Sequence, residues 1–304
     1  MRVCVRLLLA IMALVAPLAV AQAQTKLTLG YGSASAWIAS FVAADQGMFA
    51  KNGLDVAMRF VPSAATQPAA ITAGSIDIGT FNAPLFFLAD EGGLDLQIVA
   101  GGTSEQGRDK EMGRVMARED SGIQTAQDFR GRRIGIPGRN SILHVSLMKW
   151  LKDNGVDPGQ ESFVEIGMPQ LSDMLKSGQI DGAVSVEPFA GQIEKNKTGY
   201  RVSLLTADFA FYAMSRSLID KNPQAVAAFR AAIQEGADYA NTHPGEARRT
   251  QITFLKLPEN VAMATDLPVY SPAVTAAEVQ LWLDACKDLG VTKGTLKLDD
   301  VLAK

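Results

Sequence analysis

Ser33, Ser35, Ser63, Thr66, Asn82, Asn140 and Ser141 all stand where a short apolar run gives way to helical periodicity. Small hydroxyl and amide side chains at such joins suit binding. The first turn of a helix leaves backbone N–H groups unpaired, and its positive dipole end favours an anion. One such terminus contributes about 0.3–1 kcal/mol at a surface. Several converging termini, with hydroxyl donors added, approach the roughly 8 kcal/mol of micromolar binding. No buried Lys or Arg is required. The competing role for each residue is an ordinary N-cap. Ser63-Ala64-Ala65-Thr66 and Asn140-Ser141 are the firmest pair, and Asn82, two residues before Pro84, comes next.

Other residue types could complete a pocket. Trp37 opens the first helix and offers either a stacking floor or a core side chain. Glu187, before Pro188 and Phe189, could accept from an amine or amide N–H, or stand solvated at a hinge. Arg139 could clamp an anion, as could Arg108 less directly. His144, in the first turn of its helix, either reaches a ligand or packs. Phe81, Phe86, Phe87, Phe189 and Phe211 are core residues by default.

Catalytic signatures are missing. The chain has two histidines, His144 and His243, far apart in sequence, and beyond the first two dozen residues a single cysteine, Cys286. A His/Cys metal centre is therefore not expected, and no cofactor is implied. There is no His-Glu-x-x-His, Gly-x-Ser-x-Gly or phosphate loop. Gly30-Tyr31-Gly32 follows a strand-like run, but Ser35 stands where a dinucleotide fingerprint needs its third glycine. An enzyme is not expected, since no nucleophile–base or metal constellation is spaced for one.

The elements carrying these residues occur as two similar sets. Lys26 to Leu29 reads as a strand, followed by a Gly/Ser loop and a helix from Ala36 to about Gln46. Arg133 to Ile136 repeats this, followed by Pro137-Gly138-Arg139-Asn140-Ser141 and a helix from Ile142 to about Asp153. Asn52-Gly53-Leu54-Asp55 ends the first helix region and Asn154-Gly155-Val156-Asp157 the second. Each set continues with a strand, a Pro near the next join, and a helix closing on Ala73-Gly74-Ser75-Ile76-Asp77 or Ser177-Gly178-Gln179-Ile180-Asp181. Alternating strands and helices imply parallel βαβ units, so the fold class is α/β with two lobes, each a mainly parallel sheet flanked by helices. Phe209 to Met214 reads as a further strand, and helices follow at about Gln224–Thr242, Glu246–Leu255 and Ala276–Leu289.

The N-terminal residues and the composition fit an exported chain. Arg2 and Arg6 precede an apolar run from Leu7 to Ala21, and Ala21-Gln22-Ala23 gives a small-x-small cleavage pattern, so residues 1–23 are expected to be a cleaved signal peptide. Lys and Arg number 29 against 32 Asp and Glu. A mildly acidic chain without a basic block argues against nucleic acid as a partner. With Cys286 alone after processing, no intramolecular disulfide is possible.

In order and spacing the chain resembles the type II periplasmic solute-binding proteins of ABC importers, in the group that binds aliphatic sulfonates, taurine, nitrate and thiamine precursors. The residues that carry the resemblance are Val42 to Phe49 with Asn52 to Val56, Ala73 to Gly79, Asp128 to Gly135, Leu175 to Ala183, and Glu187-Pro188-Phe189. The resemblance implies a bilobal fold with a ligand cleft between lobes that close on their guest, and two chain crossings between them. Lobe 1 would comprise 24–106 and 207–304, with the C-terminal helices, and lobe 2 would comprise 107–206. It implies ligand contacts around Ser33, Ser35 and Trp37, at Ser63, Ala64 and Thr66, at Asn82 and Thr103, at Asn140 and Ser141 next to Arg139, and at Glu187. Arg139-Asn140-Ser141-Ile142-Leu143 replaces the family's usual Gly-Ser or Ser-Ser-Ala-His, and Val186 replaces its common aromatic. The expected function is capture of a small organic anion, sulfonate or carboxylate, with an aromatic or amine group allowed. The expected setting is the periplasm, with a membrane permease and its ATPase as partners and the protein itself a monomer. The alternatives are a pyrimidine-precursor binding protein, or an enzyme of the same fold using Glu187 or His144 on a heteroaromatic compound.

Overall fold

Side chains on the central strands alternate between two apolar layers, which requires sheets covered on both faces. The computed structural model describes residues 24–61, 66–103, 113–186, 189–205 and 209–303. The first sheet contains β1 (Thr25–Tyr31), β2 (Leu54–Phe60), β3 (Ile78–Asn82), β4 (Leu96–Gly101) and β10 (Ala210–Ser215), in the order β2-β1-β3-β10-β4. The second contains β5 (Gly113–Arg118), β6 (Arg133–Ile136), β7 (Ser162–Glu165), β8 (Gly182–Ser185) and β9 (Gly199–Leu205), in the order β7-β6-β8-β5-β9. The helices are α1 (Ile38–Asp45), α2 (Met48–Lys51), α3 (Gln67–Thr72), α4 (Ala83–Ala89), α5 (Ile142–Asp153), α6 (Leu171–Lys176) and α7 (Phe189–Lys195). They continue with α8 (Arg216–Lys221), α9 (Pro223–Thr242), α10 (Pro244–Phe254), α11 (Glu259–Ala264), α12 (Ala276–Asp288) and α13 (Leu298–Val301).

The fold is α/β, as the strand–helix alternation implies, but each sheet is mixed. β1 pairs in parallel with β2 and β3, whereas β10 is antiparallel to β3 and β4. β6 pairs in parallel with β7 and β8, whereas β5 is antiparallel to β8 and β9. In both sheets the antiparallel strand is the one that enters from the other sheet's side of the chain. β5 follows directly on β4, and β10 follows on β9. Periodicity registers the local βαβ crossovers but carries no mark of a strand inserted from so far away.

The sequence repeat corresponds to a repeated hydrogen-bond arrangement. Asp77 accepts from the Thr28 N–H at 2.7 Å through Oδ2, while its own N–H donates to the Thr28 carbonyl at 2.8 Å. Asp181 does the same with Arg133, at 3.0 and 2.8 Å. Each Asp thus closes a helix-to-strand turn onto the first strand of its set.

Burial follows the pleat. On β10, Tyr212 and Met214 face the layer built by α1, α9 and α10, while Phe211 and Ala213 face Phe81, Phe86, Phe87 and α12. On β5, Val115 and Ala117 face one layer and Met116 the other. Period-two alternation with both faces apolar is the signature of a covered sheet. Helix α5 contributes to two layers. Leu143, Leu147 and Leu151, four residues apart, pack on the second sheet, whereas Val145 and Met148 join the phenylalanine layer under the first. Through α5 and its contact with α4, the apolar layers of the two sheets adjoin. Among the described residues no helix is long and apolar enough to cross a membrane.

Candidate functional site

The carboxyl edge of the first sheet gathers several of the expected residues. β3 ends at Asn82, whose partner across the sheet is Ala210, and Gly101 at the end of β4 pairs with Phe211. The Gly102 N–H donates to the Ala210 carbonyl at 2.8 Å. Trp37 closes the short 3-10 turn Ser35–Trp37 that breaks the expected first helix before α1 starts. Its ring lies against Gly102, where a Cβ would come within 3.2 Å of the indole and 3.1 Å of the Ala36 carbonyl. A side chain at 102 would crowd the strand end against this turn, so glycine gives the closest approach here. Trp37 is 6 % exposed and meets Tyr212 edge-to-face at 5.6 Å, so most of its ring belongs to the core.

A strap from the C-terminal region covers this edge. Thr103, buried, bridges to Tyr270, and the Tyr270 hydroxyl donates to the Ser35 carbonyl at 3.0 Å. Asn241 on α9 fixes Tyr270 by accepting from its N–H and donating to its carbonyl, both at 2.9 Å. Ser35 and Thr103 are thus brought together through a residue that local sequence could not single out, because the contact spans more than two hundred positions. Ser33 is exposed on the same loop.

Capping geometry separates the helix-opening residues. Ser141 behaves as an N-cap, its hydroxyl accepting from the His144 N–H at 3.3 Å. Thr66 and Asn82 precede α3 and α4 without a side-chain capping bond. Asn82 has extended backbone, and its Oδ1 is buried without a hydrogen-bond partner. An amide oxygen in that condition costs free energy unless something donates to it. Thr66, exposed, is held beside the same sheet by its neighbour. Gln67, fully buried, accepts from the Thr80 N–H at 2.7 Å and donates to the Thr80 hydroxyl at 2.9 Å. Gln67 is a positioning residue whose only sequence signal is a polar side chain directly before the helix-starting Pro68.

On the second sheet, Asn140 adopts a left-handed conformation with φ 58°, which Asn tolerates better than most residues. Its N–H donates to Nδ1 of His144 at 3.0 Å. His144 is 3 % exposed and packs edge-to-face on Phe163 at 4.7 Å. Burial first, and the Arg139 charge second, push its pKa down to about 4, against an upward pull from Glu165. The ring is therefore neutral near pH 7. With Nδ1 accepting, the proton sits on Nε2, which is buried without a partner. Arg139 is exposed and lies 3.4 Å from Glu165 and 3.4 Å from the Phe163 carbonyl. The helix opened by Asn82 packs against the helix opened by Ser141, so the two edges belong to neighbouring elements. Ser63, Ala64 and Glu187 lie outside the described residues. Among the described residues no cluster of three His, Cys, Asp or Glu is placed to hold a metal ion.

This architecture has close counterparts. The fold matches the periplasmic aliphatic sulphonate binding protein SsuA from Escherichia coli with a TM-score of 0.76, at 17 % identity, covering 92 % of each chain. In sequence, the chain is 27 % identical over 250 residues to the taurine-binding periplasmic protein of Escherichia coli K12, covering 79 % of this chain and 72 % of that one. It is 28 % identical over 273 residues to the riboflavin-binding protein RibY of Chloroflexus aurantiacus, covering 84 % and 73 %. The described architecture is that of the periplasmic binding proteins, and since the family described as NMT1/THI5 like matches residues 35–247, the chain belongs to that family.

Proposed function

We propose that the chain is the extracytoplasmic solute-binding component of an ABC importer, which captures a small organic anion, sulfonate or carboxylate, between two lobes. The observation that carries this reading is Asn82. It opens a helix at the strand-end edge, makes no cap, and keeps a buried Oδ1 without a donor. That oxygen suits the N–H or O–H of a guest, while the helix starts at Asn82 and Ser141 favour its acidic group. An amine-bearing acid such as an aminosulfonate offers both. Two relatives point the same way: one binds taurine and a solved structure of this fold is a sulphonate binding protein. The riboflavin-binding relative shows that flat heteroaromatic guests occur at similar sequence distance.

The site then comprises Ser33, Ser35, Trp37, Thr66, Asn82 and Thr103 on one lobe and Arg139, Asn140 and Ser141 on the other, with Ser63, Ala64 and Glu187 completing it. Lobe 1 consists of 24–106 and 207–304, lobe 2 of 107–206, and residues 1–23 form a cleaved signal peptide that directs the protein to the periplasm. Closure on the guest shifts the population toward the form that a membrane permease and its ATPase accept. The protein works as a monomer and returns its ligand unaltered.

A thermal-shift screen of sulfonates, aminosulfonates, aromatic acids, pyrimidines, flavins and nitrate tests this. A ligand specific for the native state raises the melting temperature. An aminosulfonate or carboxylate hit, recovered unchanged after incubation, supports the reading. Stabilisation by neutral heterocycles alone, or chemical conversion of the hit, overturns it.

A further inference from the structure

A second concavity lies away from the strand-end loops, where α5 and β9 meet α12. It has a volume of about 180 Å³ and is walled by Trp150, Trp282, Leu205, Leu281 and Ala285, with Ser146 among the lining residues. Leu281, one of the lining residues, is 51 % exposed. Ser146 is only 6 % exposed, and its hydroxyl oxygen is buried without a hydrogen-bond partner. A mid-helix serine commonly returns its hydroxyl to the preceding turn, and this one does not. At the rim, Lys149 and Asp153 neutralise each other through a 2.7 Å ion pair.

We infer that this groove is a second binding site, for an uncharged single-ring aromatic carrying one hydroxyl, the phenol class. Size selects the ring number, since an apolar cavity of about 150 Å³ holds one benzene ring. The two indoles supply flat apolar walls. The Ser146 hydroxyl selects for a polar substituent, because it can donate to or accept from a guest hydroxyl and so remove an unsatisfied buried group. The compensated rim gives no preference for charge. The site joins α5, whose leucines pack on the second sheet, to α12, which packs under the first. A bound ring therefore touches elements of both halves. This inference goes beyond the importer reading and does not depend on it, because the binding needs no anion at the strand-end loops.

The test uses the full processed chain with phenol and toluene as probes. The protein has three tryptophans, so its indole N–H resonances report by position, and Trp37 serves as the internal control. Titration with phenol is expected to shift Trp150 and Trp282 and leave Trp37 in place. Phenol should bind about 3- to 10-fold tighter than toluene, the range of one net hydrogen bond. Ser146→Ala should erase that difference while leaving toluene binding intact, and Ala285→Phe, which fills the groove, should abolish both. Equal affinity for phenol and toluene, a preference that survives Ser146→Ala, or no shift of Trp150 and Trp282 up to millimolar phenol overturns the inference. A chain that failed every anion screen would still bind phenol if the inference holds.

Discussion

The backbone N–H of Asn140 donates to Nδ1 of His144, and this single bond ties a left-handed loop residue to the first turn of α5. The acceptor must be an unprotonated nitrogen, so the loop geometry depends on a neutral ring. Burial places the His144 pKa at about 4, below the usual value of 6.5. Between these values the unfolded chain binds the proton more tightly than the folded one. Stability from this group is full above about pH 6.5 and is lost as pH falls toward 4, by about 3 kcal/mol at most. Denaturant titrations at pH 7 and pH 4.5 check this. His144→Gln, whose amide oxygen can still accept from Asn140, should lose measurably less stability over that interval than the natural chain.

Asp90 should show the opposite dependence. It is nearly buried, and desolvation first, with Asp95 and Asp300 adding to it, raises its pKa to about 6 despite the 2.7 Å bond from the Leu96 N–H and the Arg216 charge. The folded state here holds the proton longer than the unfolded one. The neutral form favours folding at low pH, and that advantage is lost as pH rises from about 4 through 6. Asp90→Asn keeps an acceptor for Leu96 without the charge. It should gain about 1–2 kcal/mol at pH 7.5 and close to nothing at pH 4, as read by chemical denaturation.

Two asparagine substitutions separate binding from folding. Asn82→Ala removes an oxygen that has no partner in the protein, so stability should hold within about 0.5 kcal/mol while ligand affinity falls about 3- to 10-fold. Asn140→Ala should weaken binding too, but alanine at φ 58° adds a backbone cost of about 1 kcal/mol. Asn140→Gly removes the side chain without that strain. Calorimetry with the ligand from the thermal-shift screen, beside melting curves of the free variants, distinguishes the two effects. Undiminished affinity in both Asn82→Ala and Asn140→Gly would contradict the site assignment.

Gly236 tests the packing beneath the first sheet. It lies within α9, where glycine costs about 1 kcal/mol relative to alanine in helix propensity. A Cβ there would sit 2.2 Å from the Ala39 carbonyl oxygen of α1. Close approach of two backbones outweighs propensity, so Gly236→Ala should destabilise the protein by about 1–3 kcal/mol despite its better helix former. A melting temperature equal to or above that of the natural chain would show that the two helices can separate freely.

Local signals were enough for the two repeated sets of elements and their order, but not for β4, β5 and β9. β6 and α5 follow from the strand-like run Arg133–Ile136 and from the helical spacing of Leu143, Leu147 and Leu151. The turns at Asp77 and Asp181 follow from matching Gly-x-Ile-Asp segments. Such signals act within one or two turns of chain, where backbone sterics and side-chain period set the conformation. The resemblance to solute-binding proteins rested on their order.

Tertiary structure decided the rest. Only the assembled core inserts β10 between β3 and β4, because Phe211 and Tyr212 satisfy opposite apolar layers built by residues from distant parts of the chain. Sequence offered both Ser141 and Asn82 as helix openers, with Ser141 ahead. Folding made one a cap and left the other with a buried, unpaired oxygen. Tyr270 acquired its place over Ser35 through Asn241, and the Ser146 hydroxyl was left without a partner beside a groove between α5 and α12. Whether a polar atom is satisfied depends on everything that surrounds it in space, and no window of neighbouring residues contains that information.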